Sequence, residues 1–208
     1  AVAITFDDAY ISIFDNAFPL LKQRNWPFTV FVNSKPVDEQ NPNFMSWDQL
    51  REMQRHKGLI ANHGVSHPYL IEVPKNKSLD QWLDSEINGA EKLLQEMLGT
   101  SHKIFAYPYG EFNLDIANWL KEHGYIGIGQ QSGAVGASSN LHALPRYPAS
   151  GIYANIKTLR AKLYTLAFPI DAEQFVEPVL AGNNPPELTL SFSSPDINAR
   201  TVQCYSGT

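Results

Sequence analysis

The chain has 208 residues, 43% of them hydrophobic and 18% charged, a globular composition that excludes a disordered tract and suits one large domain with a small appendage. Its net charge of −5 argues against nucleic acid or an anionic membrane as partner, and its single cysteine, Cys204, excludes an intrachain disulfide. No apolar run approaches the ~20 residues of a membrane span, and no signal peptide is visible.

The chain opens directly on a strand-like run, Ala1–Phe6, so a preceding N-terminal segment is expected. Ile13–Arg24 reads as a helix and Phe28–Val32 as a buried, β-branched strand. Ser46–Arg55 starts with a capping box, Ser46 followed three residues later by Gln49. Leu59–Ala61 is a short strand. Ser78–Leu98 is the clearest helix, opened by a Ser78 and Gln81 box and closed by Gly99. Strands are then expected at Lys103–Tyr107, Tyr125–Gly129 and Leu141–Tyr147, and helices at Asn113–His123 and Ala154–Leu166. Strands alternating with helices predict parallel βα units, hence an α/β fold of the distorted or incomplete (β/α) TIM-like barrel type. Function in such barrels sits at the C-terminal ends of the strands. From Pro169 onward the helical pattern stops; Leu188, Leu190 and Phe192, then Val202 and Cys204, alternate with polar residues as a short C-terminal β extension would.

Three short blocks fall at predicted strand ends. Asp7 and Asp8 follow the first strand, where neighbouring residues point to different sides, so one carboxylate can bind a metal while the other faces a bound water. His63-Gly64-Val65-Ser66-His67 follows the third strand, with two imidazoles spaced to reach one metal from one turn. Phe105-Ala106-Tyr107-Pro108-Tyr109-Gly110 ends another and can present rings and a backbone N–H at a cleft. Singly, each block is equally a turn, a polar loop or a set of core aromatics. Together, two histidines and one carboxylate make three protein ligands with coordination positions left open, the arrangement of a catalytic rather than a structural site.

In this order, TFDD, H-x-x-x-H and P-Y-G resemble the polysaccharide deacetylase (NodB-type) family, carbohydrate esterase family 4, over roughly residues 1–168, and FAYPYG is similar to its poly-N-acetylglucosamine deacetylase-like branch. The resemblance implies a catalytic domain over 1–168, with 169–208 as an extension. It implies a metal-dependent removal of N-acetyl groups from an amino-sugar polysaccharide, in the periplasm or outside the cell. Asp7 matches the general base. Asp8, His63 and His67 match the ligands of one divalent metal, zinc by default with cobalt or nickel as alternatives. Tyr109 matches the residue whose backbone N–H helps bind the oxyanion. The metal would polarise the carbonyl and acidify a water, and a protonated group must then donate to the leaving amine.

The sequence also departs from the family pattern. Gly64 replaces the usual Thr or Ser, and Ala106 stands where many members have an Arg beside the base. No clear block supplies the general acid. Arg146 is the candidate to replace the missing Arg, and His142 is the late histidine that could be the acid. Trp47, Tyr69, Phe112, Tyr147 and Tyr153 are candidates for stacking on sugar, each equally a core residue. The same site could cleave O-acetyl esters of xylan, and the alternative from another class is a carbohydrate-binding module on a degenerate barrel.

Overall fold

The computed structural model describes residues 1–167, 169, 177–179 and 189–192. Strands β1 (Thr5–Phe6), β2 (Phe28–Val32), β3 (Gly58–Asn62), β4 (Ile104–Ala106) and β5 (Ile126–Ile128) lie side by side in chain order, every pair parallel. Parallel neighbours need a crossover, and helices supply each one. Helix α1 (Phe18–Arg24) joins β1 to β2; α2 (Ser34–Asp38) and α3 (Trp47–Arg55) join β2 to β3; α4 (Leu79–Leu83), a π-helical segment at Asp84–Asn88 and α5 (Gly89–Leu98) join β3 to β4; α6 (Leu114–Glu122) joins β4 to β5. The sheet curls into a half-barrel, the incomplete (β/α) barrel that the strand–helix alternation predicts.

The period of two along each strand divides its side chains between two faces. Phe28, Val30 and Val32 of β2 and Ile60 of β3 point outward and pack with Phe18, Leu21, Leu50, Met53 and Leu94 of the surrounding helices. Phe105 of β4 joins Leu83, Ile87, Ile116 and Leu120 in a second outer cluster. The inner face carries Phe31, Ala61 and Ala106 with Leu59, Ile104 and Ile128. Two of these inner residues are alanines, which leaves room inside the curl for a larger group.

Both expected capping boxes are present: Ser46 with Gln49 opens α3, and Ser78 with Gln81 opens α4. Each satisfies two otherwise orphaned N–H groups. The expected helix over Ile13–Arg24 is instead a π-helical segment, Ile13–Ala17, followed by α1. Pro19 has no N–H to donate back into the turn, and the Phe18 N–H reaches the Ile13 carbonyl, five residues back. Helix α2 was not expected, because five residues are too few to show a helical period. The last described helix, α7 (Ile156–Leu163), is shorter than the expected Ala154–Leu166 and buries none of its residues.

Residues 141–147 correct the expected sixth strand. They run beside β5 with only an isolated parallel bridge, Ile128 to Leu144. The Gly127 N–H donates to the Leu141 carbonyl, Leu144 N–H to Gly127, and Gly129 N–H to Leu144. Asn140 turns the chain before this, its Oδ1 accepting from the His142 N–H at 2.9 Å, and Pro145 and Pro148 lack the donors that would extend a ladder. The segment is therefore a strap across the open edge of the half-barrel. The expected C-terminal strand pair falls mainly on residues outside those described.

The strap seats closely on β5. A Cβ on Gly127 would lie 2.5 Å from the His142 carbonyl oxygen and 2.8 Å from the Tyr107 hydroxyl, which itself donates to that carbonyl at 2.7 Å. Gly127→Ala is expected to destabilise the fold by ~1–3 kcal/mol in urea unfolding. Gly89→Ala, helical and meeting only ordinary contacts, Val65 at 3.5 Å and the Asp84 carbonyl oxygen at 3.9 Å, should be neutral or slightly stabilising in the same measurement.

Candidate active site

The C-terminal ends of β1, β3 and β4 bring the three sequence blocks together. Asp8 (φ 70°) and Ala9 (φ 60°) both take left-handed backbone conformations directly after β1, and the buried Ala9 is pinned by its carbonyl, which accepts from the Met45 N–H at 2.9 Å. This sharp turn sends the two carboxylates in different directions. Asp7 faces the strap, and Asp8 faces the histidines.

His63 leaves β3 fully buried. Its Nδ1–H donates to the Ala106 carbonyl at 2.8 Å, which fixes the tautomer and turns the Nε2 lone pair toward Asp8. That Nε2 is buried, makes no hydrogen bond, and lies 3.4 Å from Asp8 Oδ1. His67 Nε2 lies 3.2 Å from the same oxygen. The ligand atoms of the three residues all lie within 4.8 Å of one another. Burial alone would raise the Asp8 carboxyl, but the facing His63 and His67 outweigh it and hold the group below the usual carboxylate range. Burial, helped by the neighbouring His63, lowers His67, so its imidazole is neutral at neutral pH.

These features fit a divalent cation. Two ligands each about 2.1 Å from a tetrahedral zinc lie roughly 3.4 Å apart, close to the two His-to-Asp8 separations. The donor set of two imidazoles and a carboxylate suits zinc chemistry. The orphaned, buried His63 Nε2 is an acceptor that only a cation or a donor can satisfy.

Asp7 has a different partner. Arg146 grips it with two parallel hydrogen bonds, Nη1 to Oδ1 at 2.7 Å and Nη2 to Oδ2 at 2.8 Å. The guanidinium also donates through Nε to the Gly129 carbonyl at 2.9 Å and through Nη1 to Thr5 Oγ1 at 3.2 Å, and lies over the Phe31 ring. Phe31 is the inner-face neighbour of the two alanines. Arg146 comes from the strap, 139 positions away from Asp7. Ala106, at the position where many members of the family have an Arg, contributes its backbone carbonyl to His63 instead.

Tyr109 sits in a one-turn 3₁₀ segment at φ 59°. Its half-exposed ring stacks on Tyr69 at 4.1 Å between centroids and meets His67 edge-on at 4.5 Å. Of the five stacking candidates, Tyr69 therefore lies at the cluster, whereas Trp47 and Phe112 are buried in the core and Tyr147 and Tyr153 lie near α7 through Lys162. His142 is not brought to the cluster. Its Nδ1–H donates to the Tyr125 carbonyl at 3.0 Å, at the start of β5, the end opposite to the one that carries Asp7, Asp8 and His63.

The 63–67 segment is a tight turn rather than a helix. Gly64 (φ 84°) and His67 (φ 57°) are left-handed and break any helical run. Hydrogen bonds hold the turn instead: Asn62 Oδ1 accepts from Gly64 N–H at 2.8 Å, Ser34 N–H donates to the Gly64 carbonyl at 3.0 Å, and Lys35 N–H to the Val65 carbonyl at 2.9 Å. Glu86 Oε2 accepts from Ser66 N–H at 2.9 Å and Oε1 from Ser66 Oγ–H at 3.0 Å. Asn62 is fixed in turn by Glu91, whose Oε2 accepts from Asn62 Nδ2 at 2.9 Å. Sequence reading missed Asn62, Glu86 and Glu91. The legible signal was two carboxylates beside Ile87 and Ala90, within the apolar stripe of the long helix.

The sequence profile of the polysaccharide deacetylase family matches residues 1–128. The chain belongs to the polysaccharide deacetylase family. Among curated relatives, the poly-beta-1,6-N-acetyl-D-glucosamine N-deacetylase of Staphylococcus aureus is 32% identical over 156 residues, 70% of this chain and 53% of that protein. This polysaccharide deacetylase chain spans about half the length of the curated relatives it matches. Its fold is similar to that of IcaB from Ammonifex degensii, with 26% identity, a TM-score of 0.59, and coverage of 70% of this chain and 66% of that one. It is also similar in fold to a de-N-acetylase from Aggregatibacter actinomycetemcomitans, with a TM-score of 0.67 at 21% identity over 78% of this chain and 74% of that one.

The geometry separates ligands from base. Asp8→Ala and His63→Ala should each weaken Zn²⁺ binding by more than the ~10–100-fold that losing an outer partner costs, as read by chelator competition. Asp7→Asn should leave Zn²⁺ affinity within a few-fold of wild type in the same titration.

Proposed function

We propose that this chain is a metal-dependent hydrolase that removes N-acetyl groups from an amino-sugar polysaccharide of the chitin, poly-N-acetylglucosamine or peptidoglycan type. The observation that carries the reading is the convergence of Asp8, His63 and His67 beside an Asp7 that is clamped by Arg146 and left out of the triad. The likeness to a relative named for N-deacetylation of a glucosamine polymer supports the substrate class. Such polymers lie in the cell envelope or outside it, which argues for a periplasmic or extracellular enzyme. Among the described residues no helix is long and apolar enough to cross a membrane.

Asp8, His63 and His67 would hold one divalent ion, zinc first, with cobalt and nickel compatible with the same donors. When bound, the ion supplies Lewis-acid polarisation of the acetyl carbonyl and acidifies a water. Asp7 would take the proton of the attacking water. Arg146 fixes the orientation of the Asp7 carboxylate through both oxygens, a geometry that the planar guanidinium supplies and an ammonium does not. The Tyr109 backbone N–H stabilises the negative charge that develops on the carbonyl oxygen. The proton taken up must end on the leaving nitrogen. His142 faces away, and Asp7, which holds the proton, returns it. The stacked Tyr69 and Tyr109 rings present an apolar face beside His67 on which a sugar ring can rest.

Acetate release from N-acetylglucosamine oligomers, poly-N-acetylglucosamine, peptidoglycan and acetylxylan, each with Zn²⁺ supplied, tests the reading. Asp7→Asn should lower kcat by about 10²–10⁴-fold without loss of bound Zn²⁺. Failure of the metal-loaded wild type to release acetate from any N-acetylated polymer would overturn the assignment. In the same assay Arg146→Lys should cost about 10–100-fold in kcat, because one point charge cannot hold both Asp7 oxygens. Tyr69→Ala should raise KM for oligomers with little change in kcat.

A further inference from the structure

Glu86 lies in the π-helical segment between α4 and α5 and is only 7% exposed. A buried carboxylate is costly unless its oxygens are hydrogen-bonded. Both of them are taken by Ser66, one by its N–H and one by its hydroxyl. No ion pair to Glu86 is found among the described residues. Its partners are the neutral donors of one residue.

The place of this contact in the turn is informative. Asn62, Ser34 and Lys35 hold Gly64 and Val65, the half of the turn nearest β3. Ser66 is the residue before His67, and His67 is the ligand held in the left-handed region. Such a conformation persists only when the surroundings over-determine it. Glu86 supplies both hydrogen bonds that tie Ser66 to the helix behind it. The path from Glu86 through Ser66 to His67 reaches Nε2, 3.2 Å from Asp8.

The helix is built to deliver this group. Glu86 and Glu91 both turn inward, Glu86 to the turn and Glu91 to Asn62. In a regular α-helix residues five apart lie ~140° apart around the axis. The π turn at Asp84–Asn88 adds a residue to one turn and brings the two carboxylates toward a common face. Such turns cost hydrogen-bond geometry and are found most often where a site requires them.

We infer that Glu86 is a positioning residue that acts through Ser66 to hold His67 against Asp8 and thereby raises the affinity of the triad for a divalent cation. This rests on the proposed reading of Asp8, His63 and His67 as ligands. Zn²⁺ affinity, measured by competition with a chromophoric chelator, tests it on the full chain and on E86A, E86Q, S66A and H67A, with metal-free thermal melting in parallel. H67A should lose binding. E86A should weaken it about 100-fold and E86Q, which keeps one acceptor oxygen of the two, about tenfold, both within the range for outer partners of a metal site. S66A, which removes only the hydroxyl bond, should fall between wild type and E86Q. Metal-free E86Q should melt close to the wild type, since a role in folding alone would lower melting and leave affinity unchanged. Wild-type Zn²⁺ affinity in folded E86Q and E86A would overturn the inference while the triad stood. If E86A does not fold, E86Q decides by itself. A wild type that binds Zn²⁺ no better than H67A would overturn the triad reading, and this inference with it.

Discussion

Five strands that run in the same direction end on the same edge, and every other feature of the site depends on that constraint. Parallel pairing in chain order places the residues after β1, β3 and β4 side by side although they are far apart in sequence. Each of those strand ends is followed by a residue forced out of regular conformation: Asp8 and Ala9, His67, and Tyr109 all take positive φ. Left-handed backbone in non-glycine residues is uncommon and stores strain. At these strand ends the fold's stability is used to hold chemistry in place; left-handed turns at Asn25, Lys57 and Lys103 lead into strands at the opposite edge.

The half-barrel is open, and the opening sets the second feature. A closed barrel would fill its lumen with layered side chains. Here the inner face is thinned by Ala61 and Ala106, and the strap at 141–147 sends the Arg146 guanidinium over Phe31 and on to Asp7. One side chain thereby ties the last described part of the sheet to the first and orients a carboxylate. The Ala106 position is freed of that task, and its backbone carbonyl orients His63.

Behind the site, two buried carboxylates on the long helix serve the β3 exit. Glu91 fixes Asn62, and Glu86 fixes Ser66. Two apolar residues there would have packed at lower cost. Carboxylates with directional acceptors fix a turn in a way that apolar contacts cannot, and the π turn is the geometric device that lets both be used from one helix.

The sequence by itself determined the strand–helix order, both capping boxes, the parallel half-barrel and the presence of Asp7, Asp8, His63 and His67 at the strand ends. These rest on local rules: hydrophobic period, capping chemistry and the tendency of strand ends to carry function. Tertiary structure alone decided which partners those residues have. That Asp7 faces Arg146, that His63 leans on a carbonyl, that His142 points to the far end of β5, and that Glu86 and Glu91 are buried are facts about residues many positions apart. A period of 2 or 3.6 reports which face a side chain takes, not what meets it there. The strap shows the same limit. Its apolar alternation reads as a sixth strand, but Asn140 and two prolines remove the hydrogen bonds a strand requires, and only its seat on Gly127 shows what it became.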